Sequence, residues 1–325
     1  MRSALTLDES YYEALKRLTL ELAGVKLGSD HAFLVETRLA DVARREGFTD
    51  LNTMIEELFN TGQTRLAVQV VSSLVERDTH FYRDRKSFDL LEKNVLPHLH
   101  RTHKGGKIRI LSFGCLSGQE AYGIAMTVDR LKDQLKGLKV EIVGVDYPSQ
   151  ALERAKAGRY THFEAQRGLP IKDLVTYFDR DKEDWVIKPK MRKSVEFKEV
   201  HLLSNLDDLE DFHVILFRGN LTHYSGPAQV RVLRGLSTRV KPFGYLILGS
   251  GETLEHINYG FDTVARAPGL FRKREDPPEE IIEDPNIKKP TDKKTFERSK
   301  RRKRKMTGSY ALPALKTLAQ AHLRS

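Results

Sequence analysis

The stretch Lys107–Met126, KIRILSFGCLSGQEAYGIAM, leaves few folds open. Ile108, Ile110 and Leu111 make a short apolar run of the kind buried in parallel sheets. Gly114-Cys115-Leu116-Ser117-Gly118 follows, and then Ala121, Ile124, Ala125 and Val128 recur on one helical face. Strand, glycine turn and helix in this order build a ligand site at the carboxyl end of a strand in a doubly wound α/β domain. A pyrophosphate site asks for G-x-G-x-x-G, whereas the spacing here is G-x-x-x-G with Glu120 in the first helical turn. A carboxylate there repels phosphate and favours a cation. The turn therefore suits a positively charged cofactor such as S-adenosylmethionine better than a dinucleotide, with a plain packing turn as the alternative.

A second strand strengthens the first reading. Val140–Asp146 is apolar and ends in an acid, and Asp146 lies one helix and a turn beyond Glu120, as a βαβ unit requires. An acid at that tip can accept hydrogen bonds from both ribose hydroxyls. Ala151–Gly158 reads as the next helix, Val195–Leu203 and Val214–Phe217 as further strands, and Tyr245–Gly249 with Phe261–Arg272 as a closing pair.

Before the sheet, residues 1–75 read as a helical domain. Tyr11, Leu15, Leu18 and Leu22, then Phe33, Leu34, Leu39 and Val42, then Leu51, Met54, Ile55 and Leu58, then Leu66, Val68, Val71 and Leu74 mark four helices. Arg38, Arg44 and Arg45 on the second are either a solvated face or a docking surface. Residues 76–106 mix charge with Phe81, Tyr82, Phe88 and Leu90, and read as a linker or a lid. The α/β domain spans 107–274, with a small β insert at about 177–197 around Trp185. Residues 275–325 read as a mostly disordered basic tail.

Charge sits in that tail. Of the chain's net +10, Arg272–Ser325 carries +8, with 16 Lys and Arg against 8 Asp and Glu, and RSKRRKRK at 298–305 is its densest part. Such a run calls for an acidic partner, whether lipid, nucleic acid or protein. No run approaches the ~20 apolar residues of a membrane span, and MRSALTLDESYYEALKR has no apolar signal region, so a cytoplasmic location is expected. The lone Cys115 excludes an internal disulfide and reads as a small turn residue rather than a thiol nucleophile. Neither H-E-x-x-H nor C-x-x-C occurs, so no metal is expected.

With these blocks in place, residues 8–274 resemble the chemotaxis receptor methyltransferase (CheR) family. GVKLGSDHAFLVETRLADVARREGF, RDTHFYRDRKSFDLL, ILSFGCLSGQEAYGIAMT, IVGVDYPSQALERAKAGRY, VILFRGNLTHY and VKPFGYLILGSGETL carry the resemblance in order. It implies a Rossmann-like S-adenosylmethionine-dependent methyltransferase sheet behind an N-terminal helical domain. The implied activity is esterification of glutamates on the acidic helices of a receptor-like protein, in signal transduction.

The resemblance also assigns cofactor residues. Glu120 falls near the methionine end of the cofactor, Asp146 on the ribose and Leu202 beside the adenine. Gly114 belongs to the cofactor loop, Arg218 stands at the strand end, and Thr79 and Arg83 reach the cofactor and the methyl-transfer site. The chain departs from the family where Arg77, His201 and Gly219 replace Asn, His223 replaces Tyr and Gln119 replaces an acid. His223 stands where the family's tyrosine would hydrogen-bond the acceptor, and His201 and Gly219 remain at cofactor positions. A working enzyme with altered contacts and a non-catalytic cofactor-binding module both stay open. A nucleic-acid methyltransferase would need a basic face on the sheet domain, and a nicotinamide oxidoreductase lacks its glycine turn. In the resembling family a β insert docks a receptor tail in some members. DRDKEDWVIK lacks the turn glycines of those members, so no tight tail docking is expected.

Overall fold

The computed structural model describes residues 6–28, 32–75, 78–103, 106–147, 149–201, 203, 206–219, 221–254 and 260–275. Arg77, Leu202 and the basic run 298–305 lie outside the described residues, as does the whole of 276–325. The chain divides after Val75 into two compact units.

The first unit holds α1 (Glu9–Ala23), α2 (Ala32–Glu46), α3 (Leu51–Thr61) and α4 (Thr64–Leu74). Their apolar stripes meet in one core in which Leu15, Leu18, Leu39, Met54, Ile55 and Leu58 are fully buried. Asp50 caps α3 by accepting from Thr53 N, and Gly62, at φ +63°, ends it. The arginines of α2 do not form one free face. Arg38 Nη1 donates to Leu74 O at 3.0 Å, and Arg44 pairs with Asp41 at 3.1 Å.

The second unit opens with helix rather than linker. α5 (Arg85–Leu90), a π-helical turn (Leu91–Val95) and α6 (Leu96–Thr102) run on from one another. Phe88, Leu91, Val95, Leu96 and Leu99 are buried in the core of the sheet unit, and so are Phe81 and Tyr82. The lid reading of 76–106 is thereby corrected for its aromatics: they are packing residues, not covers for a ligand. The π turn falls just before Pro97, which has no N–H for the preceding turn.

Then come β1 (Lys107–Phe113), α7 (Gln119–Arg130), β2 (Lys139–Asp146), α8 (Ser149–Ala157), β3 (Arg159–Thr161), α9 (His162–Gln166), α10 (Ile171–Tyr177), β4 (Phe178–Asp181), β5 (Asp184–Ile187), α11 (Pro189–Arg192) and β6 (Val195–Glu199). β7 (Phe212–Phe217), α12 (Gly226–Arg239), β8 (Val240–Leu248), β9 (Phe261–Thr263) and β10 (Leu270–Lys273) complete it. The main sheet has the order β6-β2-β1-β7-β8-β10-β9. The first five strands are parallel and β10 runs antiparallel to both of its neighbours. Strand order reverses at β1, so the crevice for a ligand opens at its carboxyl end.

The small sheet is β3-β5-β4, all antiparallel. The expected insert at 177–197 is therefore shifted. Arg159–Thr161 supplies a third strand, and Val195 belongs to the edge of the main sheet beside β2. Tyr160 decides this: it is 1% exposed and packs edge-on to Phe81 at 5.1 Å, a contact no local pattern announces.

Candidate active site

The glycine turn is held from below and from the side. Gly114 N and Cys115 N both donate to Val145 O, at 2.8 and 3.0 Å, and Tyr160 OH donates to Ser117 O at 2.6 Å. Gly114 (φ +82°) and Gly118 (φ +90°) occupy the left-handed region that glycine enters freely. A Cβ on Gly118 would also stand 2.9 Å from Ala155 Cβ, so helix α8 packs directly on the turn.

Asp146 lies at the tip of β2, as expected, but its carboxylate is not waiting empty. It is fully buried, and it accepts from Leu116 N at 2.7 Å and from Tyr147 N at 2.6 Å. Each carboxylate oxygen keeps a second lone pair, but Asp146 has no exposed surface, so a ribose hydroxyl reaches it only when the covering main chain at Leu116 or Tyr147 moves aside. His201 closes this corner. Its ring meets Tyr147 edge-on at 4.8 Å, and its Nδ1 accepts from Leu203 N at 3.2 Å.

Glu120 and Arg218 meet at the carboxyl ends of β1 and β7. Arg218 Nε donates to Glu120 Oε2 at 2.7 Å, and Ser112 Oγ donates to Oε1 at 2.7 Å. The Arg218 guanidinium also donates to Arg83 O and lies over the Phe88 ring, 4.9 Å from its centre. Glu120 is thus neutralised within the protein, which weakens its expected pull on a free cation. Arg83 comes in beside them. Its guanidinium donates to Asp78 O and lies against Gly219, whose missing Cβ would stand 3.0 Å from Arg83 Nη2.

Two residues of this cluster escaped sequence reasoning. Glu252 is 8% exposed, and its carboxylate accepts from Gly219 N at 2.9 Å, Leu221 N at 2.8 Å and Gly249 N at 2.7 Å. Asp84, at φ +52°, accepts from Ser250 N and Ser250 Oγ, both at 2.7 Å. The signal for both was GSGE at 249–252, two glycines and an acid just past a strand. Thr79 is half-buried just before Arg83. His223 is half-buried in the 3-10 turn Leu221–His223, which Glu252 ties down through Leu221.

A cleft of about 1020 Å³ adjoins this cluster through Gly249, Ser250 and Glu252, between the start of α5, the segment 248–254 and the β9–β10 hairpin. Among the described residues none of the expected cofactor or catalytic residues lines it, though Leu90 does. The corner at Asp146 is covered by the main chain of Leu116 and Tyr147.

The donor set fits a cofactor that offers hydroxyls and positive charge. Two carboxylates, Glu120 and Asp146, flank a glycine turn that contains no Lys or Arg to hold a phosphate. Parallel strands reversing at β1, an antiparallel strand between β8 and β9, and an acid at the β2 tip define an S-adenosylmethionine-dependent methyltransferase. The family model described as CheR methyltransferase, SAM binding domain, matches residues 77–269. The chain belongs to the CheR methyltransferase family.

Its relatives agree over nearly their whole length. Chemotaxis protein methyltransferase 1 of Pseudomonas aeruginosa is 32% identical over 80% of this chain and 96% of its own. Chemotaxis protein methyltransferase Cher2 of Pseudomonas putida is 31% identical over 78% and 94%. Chemotaxis protein methyltransferase of Escherichia coli is 26% identical over 80% and 90%. Solved structures such as PKMT2 from Rickettsia typhi, at 16% identity over 53% of this chain and 26% of that one, overlap with a TM-score of only 0.32 and bear on nothing further.

Proposed function

We propose that this chain moves the methyl group of S-adenosylmethionine onto glutamate carboxylates of a chemotaxis receptor, with Arg83 orienting the acceptor. The observation that carries this reading is the meeting of Arg83, Gly219, Arg218 and Glu120 at the carboxyl ends of β1 and β7. Membership of a chemotaxis methyltransferase family supports the acceptor class.

A glutamate with its usual pKa of about 4.3 is already ionised at neutral pH, so the reaction needs alignment more than proton transfer. The bound cofactor supplies the electrophilic methyl group. Arg83 presents a planar fork that can grip a carboxylate through two N–H donors. Arg218 holds Glu120 at the cofactor's methionine end, and Asp146 takes the ribose. Thr79, Gly114, His201, Leu202 and Gly219 complete the cofactor's surroundings, and His223 hydrogen-bonds the acceptor. The partner is a receptor-like protein with acidic helices, and the basic run 298–305 meets an acidic surface. Among the described residues no helix is long and apolar enough to cross a membrane.

The test is methyl transfer from labelled S-adenosylmethionine to receptor-containing membranes of the same cell, comparing the native chain with Arg83→Ala. Base-labile label on the receptor, reduced roughly 100-fold by the substitution, is expected. No label from either, with the cofactor shown to bind, would identify a non-catalytic binding module instead.

A further inference from the structure

Glu252 has no part in the reading above, yet it ties together the chain on both sides of Arg83. A carboxylate only 8% exposed needs partners, and here they are all main-chain N–H groups from two separate segments. Gly219 and Leu221 follow β7, and Gly249 follows β8. Residue 250 of the same short segment clamps Asp84, the neighbour of Arg83, through Ser250 N and Oγ at 2.7 Å each.

The contact with Arg83 itself runs through Gly219. At φ +65° this glycine turns its α-carbon toward the guanidinium, and a Cβ there would lie 3.0, 3.1 and 3.4 Å from Nη2, Cζ and Nη1. The plane of Arg83 thus rests on the main chain that Glu252 holds. Only a carboxylate can do this, because it accepts on both oxygens and donates on neither. A glutamine has one such oxygen: set at the Oε2 position it loses Leu221 N, and set at the Oε1 position it loses Gly219 N and Gly249 N, so in either orientation an N–H of the segment after β7 faces an NH2.

We infer that Glu252 is a positioning residue for methyl transfer: by holding Gly219 and Leu221 against Gly249, it sets the orientation in which the Arg83 guanidinium meets the acceptor carboxylate. This rests on the proposed role of Arg83. Among the described residues Glu252 bonds neither of the two charged cofactor residues, Glu120 and Asp146, and reaches the cofactor's surroundings only through the main chain of Gly219, so turnover should fall much further than cofactor affinity.

The experiment uses the full chain, with Glu252→Gln, Glu252→Asp and Gly219→Ala made in native and Arg83→Ala backgrounds. Three quantities are read: the affinity for S-adenosylhomocysteine, kcat and KM with receptor membranes, and the Arg83 side-chain Nε–H resonance in a nitrogen-15 spectrum. Glu252→Gln is expected to leave the affinity within about threefold, to lower kcat at least tenfold and to shift the Arg83 resonance. Gly219→Ala should shift the same resonance, since its new Cβ presses on Nη2. In the Arg83→Ala background Glu252→Gln should cost no further activity. An unmoved Arg83 resonance in folded Glu252→Gln overturns the inference, as does an equal further loss in the Arg83→Ala background. Should Glu252→Gln not fold, Glu252→Asp decides: it keeps the charge but cannot span both segments, so the resonance must still shift. If the native chain transfers no methyl group, the proposed function falls and this inference with it; transfer by the native chain with an unmoved Arg83 resonance in Glu252→Gln overturns the inference alone.

Discussion

Arg218 and Glu120 form an ion pair in which the two side chains are only 5% and 13% exposed, and it joins the end of β7 to the first turn of α7. Neither charge could sit there alone. Removing one partner of a buried pair strands the other, typically at about 3–5 kcal/mol. Arg218→Ala should therefore destabilise the protein by about 3 kcal/mol in urea unfolding, and Glu120→Gln by less, because it leaves the arginine its bond to Arg83 O. Arg83→Ala, by contrast, should cost under about 1 kcal/mol at a half-exposed position. Equal losses for Arg218→Ala and Arg83→Ala would show that the two arginines are not divided into structural and acceptor-facing roles.

Asp146→Ala should weaken S-adenosylmethionine binding at least tenfold, since each hydrogen bond to a charged acceptor contributes about 1.5–3 kcal/mol. It should also loosen the glycine turn, because Leu116 N and Tyr147 N lose their acceptor. Calorimetry with the cofactor and its demethylated product measures the first effect. Faster amide exchange at Leu116 and Tyr147 measures the second, and unchanged affinity would remove Asp146 from the site.

His213 makes stability depend on pH. Its Nδ1 accepts from Arg109 N at 3.0 Å, which requires a neutral ring. Burial first, and then Lys241, His103 and Arg109, lower its pKa to about 4. Below its ordinary pKa near 6.5 the unfolded chain takes up a proton that the folded state refuses. Its contribution is therefore complete above pH 6.5 and drains away as pH falls toward 4. The loss should reach on the order of 2 kcal/mol. Urea midpoints at pH 7.5 and pH 5 should differ less in His213→Asn, whose side-chain oxygen can keep the acceptor. An identical pH response in both proteins would rule His213 out as the cause.

Removing residues 276–325 should leave cofactor affinity unchanged, because β10 already closes the sheet at Lys273. The same deletion should abolish salt-sensitive binding to anionic vesicles, which the RSKRRKRK run supports electrostatically. Binding that persists in the truncated chain would move the basic contact to the body of the protein.

The strand–turn–helix at Lys107–Arg130, the acid at Asp146 and the four helices before Val75 were legible in the sequence, because each is a local pattern of period and punctuation. What the sequence could not show was which charges would meet. That Glu120 spends its carboxylate on Arg218, that Asp146 is already engaged by two main-chain amides, and that Glu252 braces Gly219 all depend on segments brought together from far apart in the chain. The aromatics of 81–88 showed the same limit. Their charged neighbours suggested a lid, but Phe81 found Tyr160 and Phe88 found Arg218, and burial against distant partners made them core. Local sequence determined the elements and the acids at their tips. Only tertiary structure decided which of those groups neutralise one another inside the protein, because each pair joins segments far apart in the chain.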